Sequence, residues 1–550
     1  MAAEPLELST DVLVVGGGPA ATWAALKAAQ AGADVILADK GYCGTSGAAA
    51  SAGTGIWYVE PEPEAREKAM ASREAMGGYL SDRRWMARVL DQTYEGVNEL
   101  ATAGRYPFPI VDGRPYRRGV QGPEYMRRMR IMVRRAGVRI LDHSPVTELF
   151  TDPRGAVAGA AGHRLQDDRP YRVKSAAVVL ATGGCAFLSG TLGCHVNTGD
   201  GHLMAAELGA EMSGMEFSNA YAIAPEFTSL TKTAYYSFAT FYREDGSVLE
   251  GAGSTRGRSV IARTLLHEKV YCVLDRADAE ARARMRLGQP NFFLTFDRMG
   301  IDPFTQRFPV TMLLEGTVRG TGGIRVVSDD CATSVPGLFV AGDAATRELI
   351  CGGFTGGGSH NAAWAISSGS WAGRGAARYA AELGPAATRR SATGAGGAGL
   401  RPAGGSRVAH RDVIAAVQAE VLPYDKNLLR HADRLAPALA ALHDTWREVR
   451  AGLRGVGAEA VRTRQAAAMT VHARWMYTAA LAREETRGMH KREDRPAQDA
   501  SLRHRLLVGG LDEIWTRPDE VAPVGPEEFA ALGRPGLENL ARGAYAKAAS

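Results

Sequence analysis

The stretch DVLVVGGGPAATWAALKAAQAGADVILADK, Asp11 to Lys40, constrains the fold more than any other part of the chain. Val12 to Val15 form a short apolar run suited to a parallel strand buried on both faces. Gly16, Gly17 and Gly18 make a turn, and Ala21 fills the third small position of a G-x-G-x-x-G/A pattern. The spacing predicts a helix from Ala20 to Ala31, ended by Gly32, then a second strand from Val35 to Ala38. Asp39 closes that strand at the distance expected of an acid that binds a ribose, roughly 20 residues past the glycines. Glycines let backbone approach a pyrophosphate, the helix N-terminus offers it free N–H groups, and the carboxylate accepts from ribose hydroxyls. A carboxylate with no arginine beside it disfavours a 2′-phosphate. The spacing alone fits NAD and FAD equally.

Later segments narrow the choice. SAAVVLATGGCA (Ser175 to Ala186) and PGLFVAGDAA (Pro336 to Ala345) are apolar strands that end in small or acidic residues. Such endings lie at the carboxyl edge of a parallel sheet, where ligands bind. ATGG after a strand, NTGDGHLMAAELGAE (Asn197 to Glu211) and PGLFVAGDAA together resemble the FAD-binding framework of the fumarate reductase and succinate dehydrogenase flavoprotein family. L-aspartate oxidase and the alpha subunit of adenylylsulfate reductase are relatives within it. SGMEFSNAYA (Ser213 to Ala222) is similar to the family's MEF segment. REETRGMHKREDRP (Arg483 to Pro496) is similar to its C-terminal segment, with Arg487, Gly488, His490, Arg492, Glu493 and Asp494 in place. The resemblance runs from Asp11 to Asp499.

The resemblance implies an α/β fold: a Rossmann-like FAD-binding domain with an inserted α+β capping domain and a helical C-terminal domain. The FAD-binding domain takes residues 1–212 and 320–385, the cap 213–319. The Gly-rich stretch 386–407 reads as a flexible linker, and 408–550 as the helical domain. The implied FAD contacts begin with Gly16, Gly18, Pro19 and Ala20 in the turn. Asp39, Lys40, Ser46 and Gly47 follow the second strand, and Val146 meets the adenine. Ala181, Thr182, Gly183 and Asp200 come from the middle segments. Gly342, Asp343, Gly358 and Asn361 complete the set. Some members attach FAD covalently through a histidine after the second strand. KGYCGTSGAAASAGTG holds none, Ser46 stands at or beside that position, and noncovalent FAD is expected. Cys43, nearby, reads as incidental.

GPEYMRRMRIMVRRAGVRIL reads as an amphipathic surface helix feeding a strand. Arg127, Arg128, Arg130, Arg134 and Arg135 alternate with apolar residues over an expected anion-binding patch. Within AGSTRGRSVIAR, Arg258 and Arg263 match the family's arginine pair, which implies that Arg258 is the proton-shuttling arginine of the cap. An arginine is a poor base, because its pKa lies above about 12, so it needs a relay or nearby positive charge. The residue that follows is Ser259 where the family is often acidic. Proton transfer, a carboxylate clamp and a structural ion pair all stay open for Arg258. Thr255 is a further substrate-side candidate.

The dicarboxylate pocket is largely absent from the sequence. Tyr221 replaces one family histidine, and Val318 or Arg319 replaces the other. The family's second arginine is missing from CGGFTGGGSHNAAWA, where Thr355, Gly356, Ser359, His360 and Asn361 stand. Arg319 and His360 are the candidate replacement contacts, with a non-catalytic role equally open for each, and simple succinate or fumarate turnover is not expected. The aromatic run YAIAPEFTSLTKTAYYSFATFYREDG reads equally as a pocket wall over the flavin or as cap core.

Composition bears mainly on partners. A net charge of +5 over 550 residues gives no case for nucleic acid, and no apolar run is long enough to span a bilayer. The six cysteines show no CxxC pair or metal-ligand spacing, so they read as free thiols in a reducing compartment. With no secretory pattern at the N-terminus, a cytoplasmic location is expected. The expected activity is FAD-dependent hydride transfer to or from a small anionic substrate, a carboxylate or amino acid. The alternative is an electron-transfer subunit, whose iron–sulfur centre a partner protein would bring.

Overall fold

The first strand, β1, spans Leu6–Val15, and the first helix, α1, spans Pro19–Gln30. The second strand, β2, spans Val35–Ala38 and is wholly buried. β1 is longer than its apolar core: Leu6–Ser9 alternate half-buried and exposed residues, Thr10 is buried, and all pair with Tyr171–Ser175. The protein is described from a computed structural model covering residues 4–231, 235–254, 257–355, 357, 359–405 and 407–521.

The main sheet has eight strands. Its parallel part runs Arg139–Leu141, β2, β1, Arg169–Leu180 and Leu338–Val340. Strand Arg169–Leu180 is shared. Its last residues pair in parallel with Leu338–Val340, and its first residues pair antiparallel with Val157–Arg164. Register then decides where function lies. Val15 stands beside Ala38 on one side and Leu180 on the other, and Leu180 stands beside Val340. Gly16, Asp39, Ala181 and Ala341 therefore leave the sheet along one edge. α1 packs against the long helix Ser359–Leu383 through small residues. A Cβ at Gly369 would lie 2.5 Å from the Ala20 carbonyl oxygen, and one at Gly373 would lie 2.2 Å from that of Ala24.

The cap is a four-stranded antiparallel sheet, ordered Ala220–Pro225, Phe308–Glu315, Val270–Val273 and Thr240–Tyr242. Its aromatic residues resolve one open expectation. Tyr236, Phe241, Phe292, Phe293 and Phe296 are buried together in one cluster, so they form cap core and not a wall of the cofactor cavity. Lys232, Thr233 and Ala234 of that run lie outside the described residues.

Two sequence expectations need correction. The stretch 386–407 is not a free linker. Thr393–Gly394 pairs with Val146–Thr151 at the edge of the main sheet, Ala398 is buried, and the Gly396 and Gly397 amides donate to Glu148 and Glu207. Its glycines serve close approach: a Cβ at Gly399 would lie 2.7 Å from the Thr463 carbonyl oxygen. The C-terminal part is helical over His410–Val421, Ala432–Gly452 and Ala458–Ala482, but it then forms a hairpin, His504–Gly509 with Trp515–Glu520. That hairpin pairs with Met212–Ser213, which ties the region back into the body of the fold.

The helix Gly122–Arg135 is amphipathic as expected, burying Met126, Met129, Met132 and Val133. Three of its five arginines are held by acids and are not left for an anion. Arg127 and Arg128 pair with Glu124, and Arg130 forks onto Asp142 and stacks on Tyr42.

The two most distinctive late motifs meet each other. Glu216 of SGMEF is fully buried and pairs with Arg483 at 2.7 Å. Arg483 and Arg487 share Glu485, and Arg492 forks onto Asp494. Buried charges are tolerated only when paired in this way, which explains why arginines and acids are so dense in REETRGMHKRED.

Candidate functional site

A cavity of about 720 Å³ opens along the edge of the parallel sheet and extends beneath the cap. The glycine turn forms its floor. Gly16 has φ +125°, and a Cβ there would meet the Ala181 carbonyl oxygen at 2.2 Å. Gly18 is the N-cap of α1 with no side-chain cap, and Pro19 begins the helix. The first N–H groups of α1 are thus left for an anionic group. Gly47, φ +90°, closes against Gly18 from the opposite side.

Asp39 is buried at the end of β2. Its Oδ1 accepts from the Gly41 amide, while Oδ2 has no hydrogen-bond partner among the described residues. Burial pushes its carboxyl above the ordinary range, with Ser46, the Gly41 amide and Lys40 opposing. A buried acid with a vacant oxygen in a cavity wall fits the hydroxyls of a ribose. Thr182 Oγ1 and Asn361 Oδ1 are likewise buried and partnerless, and both residues border the cavity. These vacancies and the glycine cradle fit FAD.

The expected FAD residues that fall among the described ones all border this cavity, from Gly16, Gly18, Pro19 and Ala20 to Asp343 and Asn361. Gly358 and Thr255 lie outside the described residues. Lys40 does not point freely at a phosphate, because it pairs with Asp200 at 2.8 Å. Asp343 pairs with the fully buried Arg347, whose Nη2 also gathers the carbonyls of Thr317, Val318 and Gly320. Arg347 therefore joins the cofactor wall to the short turn that carries Arg319. Cys43 is buried, with its thiol pushed up to about 12 mainly by burial, so it is an inert neighbour.

At the cap end, Arg319 borders the cavity and stands 3.0 Å from Glu315 through Nε. Its Nη groups have no partner among the described residues. Glu315 is fully buried and accepts from Thr231 at 2.6 Å. Arg258 begins the helix Arg258–Leu265, is not among the cavity-wall residues, and lies close enough to Arg319 to feel its charge. Its Nε donates to the Ser254 carbonyl at 2.7 Å and its Nη1 to that of Tyr221 at 3.0 Å. Desolvation lowers its pKa to about 10, Arg319 adds to the drop, and Glu315 opposes it. Arg263, its partner in the sequence motif, is exposed and pairs with Glu493.

Two expected substrate contacts are not brought to the cavity. The Tyr221 phenol is buried and donates to the Val421 and Leu422 carbonyls, because its strand turns that face toward the C-terminal helices. His360 is buried beneath the wall, with its ring 4.4 Å from that of Trp57 and Nδ1 next to Ser359 Oγ. Other wall residues escaped the sequence reading. Leu188, His195 and Val196 lie on the segment after ATGG. Arg464 lies in an Ala-rich helix and pairs with Glu207 at 4% exposure of each side chain. A single arginine inside an apolar helix was the available signal for Arg464; nothing in spacing marks the other three.

Comparison with known proteins matches the same regions. The model of an FAD binding domain matches residues 11–226, and that of the fumarate reductase flavoprotein C-term matches residues 420–520. L-aspartate oxidase of Streptomyces coelicolor is 27% identical over 556 residues, covering 92% of each chain. Among solved structures, the FrdA chain of E. coli quinol fumarate reductase superposes with a TM-score of 0.78 at 19% identity, over 95% of this chain and 98% of that one. Adenylylsulfate reductase from Archaeoglobus fulgidus superposes with a TM-score of 0.72 at 17% identity, over 94% and 97%. At these identities the solved structures support the fold. No helix among the described residues is long and apolar enough to cross a membrane.

Proposed function

Since the chain belongs to the fumarate reductase and succinate dehydrogenase flavoprotein superfamily and is an FAD-dependent oxidoreductase, we propose that it moves a hydride between the flavin and a C–H bond of a small carboxylate or amino acid. FAD, held noncovalently, supplies two-electron chemistry at N5. Similarity to L-aspartate oxidase favours an amino acid. One observation carries the reading: an arginine whose Nη fork is unpartnered among the described residues, Arg319, borders the cavity with a second, weakened arginine beside it.

In this mechanism Arg319 binds the carboxylate through its two Nη groups. Glu315, whose Oε1 accepts from Thr231, stands as a counter-charge 3.0 Å from Nε of that guanidinium. Arg258 lies outside the cavity wall beside Arg319, so it exchanges the proton that accompanies hydride transfer only with a substrate that reaches past Arg319 toward it. With its pKa near 10 it is a better acid–base group than an ordinary arginine, and its guanidinium is aimed by the Ser254 and Tyr221 carbonyls.

The test is anaerobic mixing of the yellow holoprotein with amino acids and small carboxylates, succinate and aspartate included. Bleaching of the flavin by one of them is expected, and recovery in air separates an oxidase from a dehydrogenase. If none bleaches it, while reduced protein passes electrons only to an iron–sulfur partner, the electron-transfer reading replaces this one.

A further inference from the structure

We propose that the cap end of the cavity selects a substrate with a single carboxylate and an apolar body, and rejects dicarboxylates. This rests on the carboxylate reading above and narrows it.

The cationic side chains in the wall, among the described residues, are Lys40, Arg319 and Arg464. Lys40 and Arg464 are neutralised by Asp200 and Glu207. Arg319 is also ion-paired, with Glu315, but through Nε; its two Nη groups have no hydrogen-bond partner among the described residues, and one carboxylate saturates such a fork. A second carboxylate on the same molecule would have to lie on what surrounds that fork.

The surroundings are apolar. Val318, next in sequence to Arg319, packs with Ala186 and Cys194, and Ala48 lies against them. Cys194 Sγ stands 3.7 Å from Glu315 Oε1, the acid that holds Arg319, so the segment 194–196 reaches the arginine's own support. From that segment Val196 borders the cavity while 54% exposed. Leu188 borders it too, in a left-handed conformation with φ 51° after Phe187 at 53°. Leucine rarely adopts that backbone, and strain of this kind persists only where neighbours hold it. Gln418 does so by donating to the carbonyls of both residues. The wall thus spends local strain to present a leucine.

His195 is the polar exception. Its Nδ1 accepts from the Gly190 amide at 3.0 Å, leaving Nε2 as its remaining hydrogen-bonding atom. With Nδ1 accepting, Nε2 of the neutral ring carries the proton and donates, which suits one carbonyl or hydroxyl oxygen on the substrate and does not replace a second cation. Burying a carboxylate against Leu188 and Val318 leaves it without an ion-pair partner among the described residues of the wall, which is unfavourable. Methylenes placed there instead improve binding about fourfold each, the equivalent of about 0.8 kcal/mol.

The experiment is titration of the oxidised holoprotein, followed by the flavin difference spectrum. The ligands are straight-chain monocarboxylates from propanoate to octanoate, with succinate, glutarate and adipate alongside. Kd is expected to fall about fourfold per methylene over the first members. Each dicarboxylate is expected to bind at least about tenfold more weakly than the monocarboxylate of equal carbon number. Val196→Lys is expected to narrow or reverse that gap, with its melting temperature and flavin spectrum reporting an intact fold. Dicarboxylates binding as tightly as their monocarboxylate counterparts, or a Kd indifferent to chain length, would overturn the proposal while leaving a carboxylate site. If no acid of either series perturbs the flavin, and Arg319→Met changes nothing, the carboxylate reading itself falls with it.

Discussion

Gly17→Ala tests the cofactor site at its tightest point. The added Cβ would sit 2.0 Å from Asp39 Oδ2 and 2.3 Å from its Cγ. The backbone itself tolerates alanine, since Gly17 is not among the residues with positive φ. The Asp39 carboxylate must therefore swing aside, and it loses its bonds to the ribose. A hydrogen bond to a charged group contributes about 1.5–3 kcal/mol, so Kd for FAD should rise about 10- to 100-fold. Asp39→Ala removes the same bonds and should cost a similar factor. Because both changes act on one contact, the double variant Gly17→Ala with Asp39→Ala should bind FAD about as well as either single variant. Quenching of FAD fluorescence on titration with apoprotein gives the three constants. Additive losses would mean that Gly17 and Asp39 act on different parts of the cofactor. Wild-type affinity in Gly17→Ala would mean that Asp39 does not face the ribose.

The remaining expectations concern charge. Asp39 has a folded pKa above its unfolded value, so its contribution to apoprotein stability is present at low pH and lost as pH rises through that window. Asp39→Asn apoprotein should therefore melt above wild-type apoprotein at pH 7–8 and level with it near pH 4, while binding FAD more weakly. Glu348 is held up near 7, first by burial and then by Glu216. Glu348→Gln should gain on the wild type in thermal melts between pH 4.5 and 7, by at most about 1.4 kcal/mol per pH unit. Arg347→Met strips the charge from beside Asp343 and frees three carbonyls. Removing one partner of a buried pair costs about 3–5 kcal/mol, so flavin release on heating should occur at a markedly lower temperature; an unchanged release temperature would deny it that role. For Arg258, oxidation of substrate should quicken with pH and level off near 10, and a flat rate of flavin reduction from pH 7 to 10 would remove it from the proton path.

The cofactor half of the site was legible because strand register and glycine chemistry are written locally. Once Val15, Ala38, Leu180 and Val340 lie side by side, Gly16, Asp39 and Ala181 converge without further information. The cap end depends on which way single side chains turn, and one-dimensional spacing does not carry that. Tyr221 stands in the strand next to Arg258, yet gives it only a carbonyl while its phenol serves the C-terminal helices. The pair Glu315 and Arg319 was readable as an acid and a base four residues apart, the spacing at which helical side chains meet. The glycines of 386–407 misled for a physical reason. Glycine signals flexibility when it stands alone in water and close packing when another backbone lies against it, and composition is the same in both cases. The same ambiguity separates Arg464 from a surface arginine: only its buried ion pair with the Glu207 side chain makes its position in an alanine-rich helix meaningful. The frame that holds FAD is thus written locally, while the proposed selectivity rests on Arg319, Val196 and Leu188, whose meaning depends on one another.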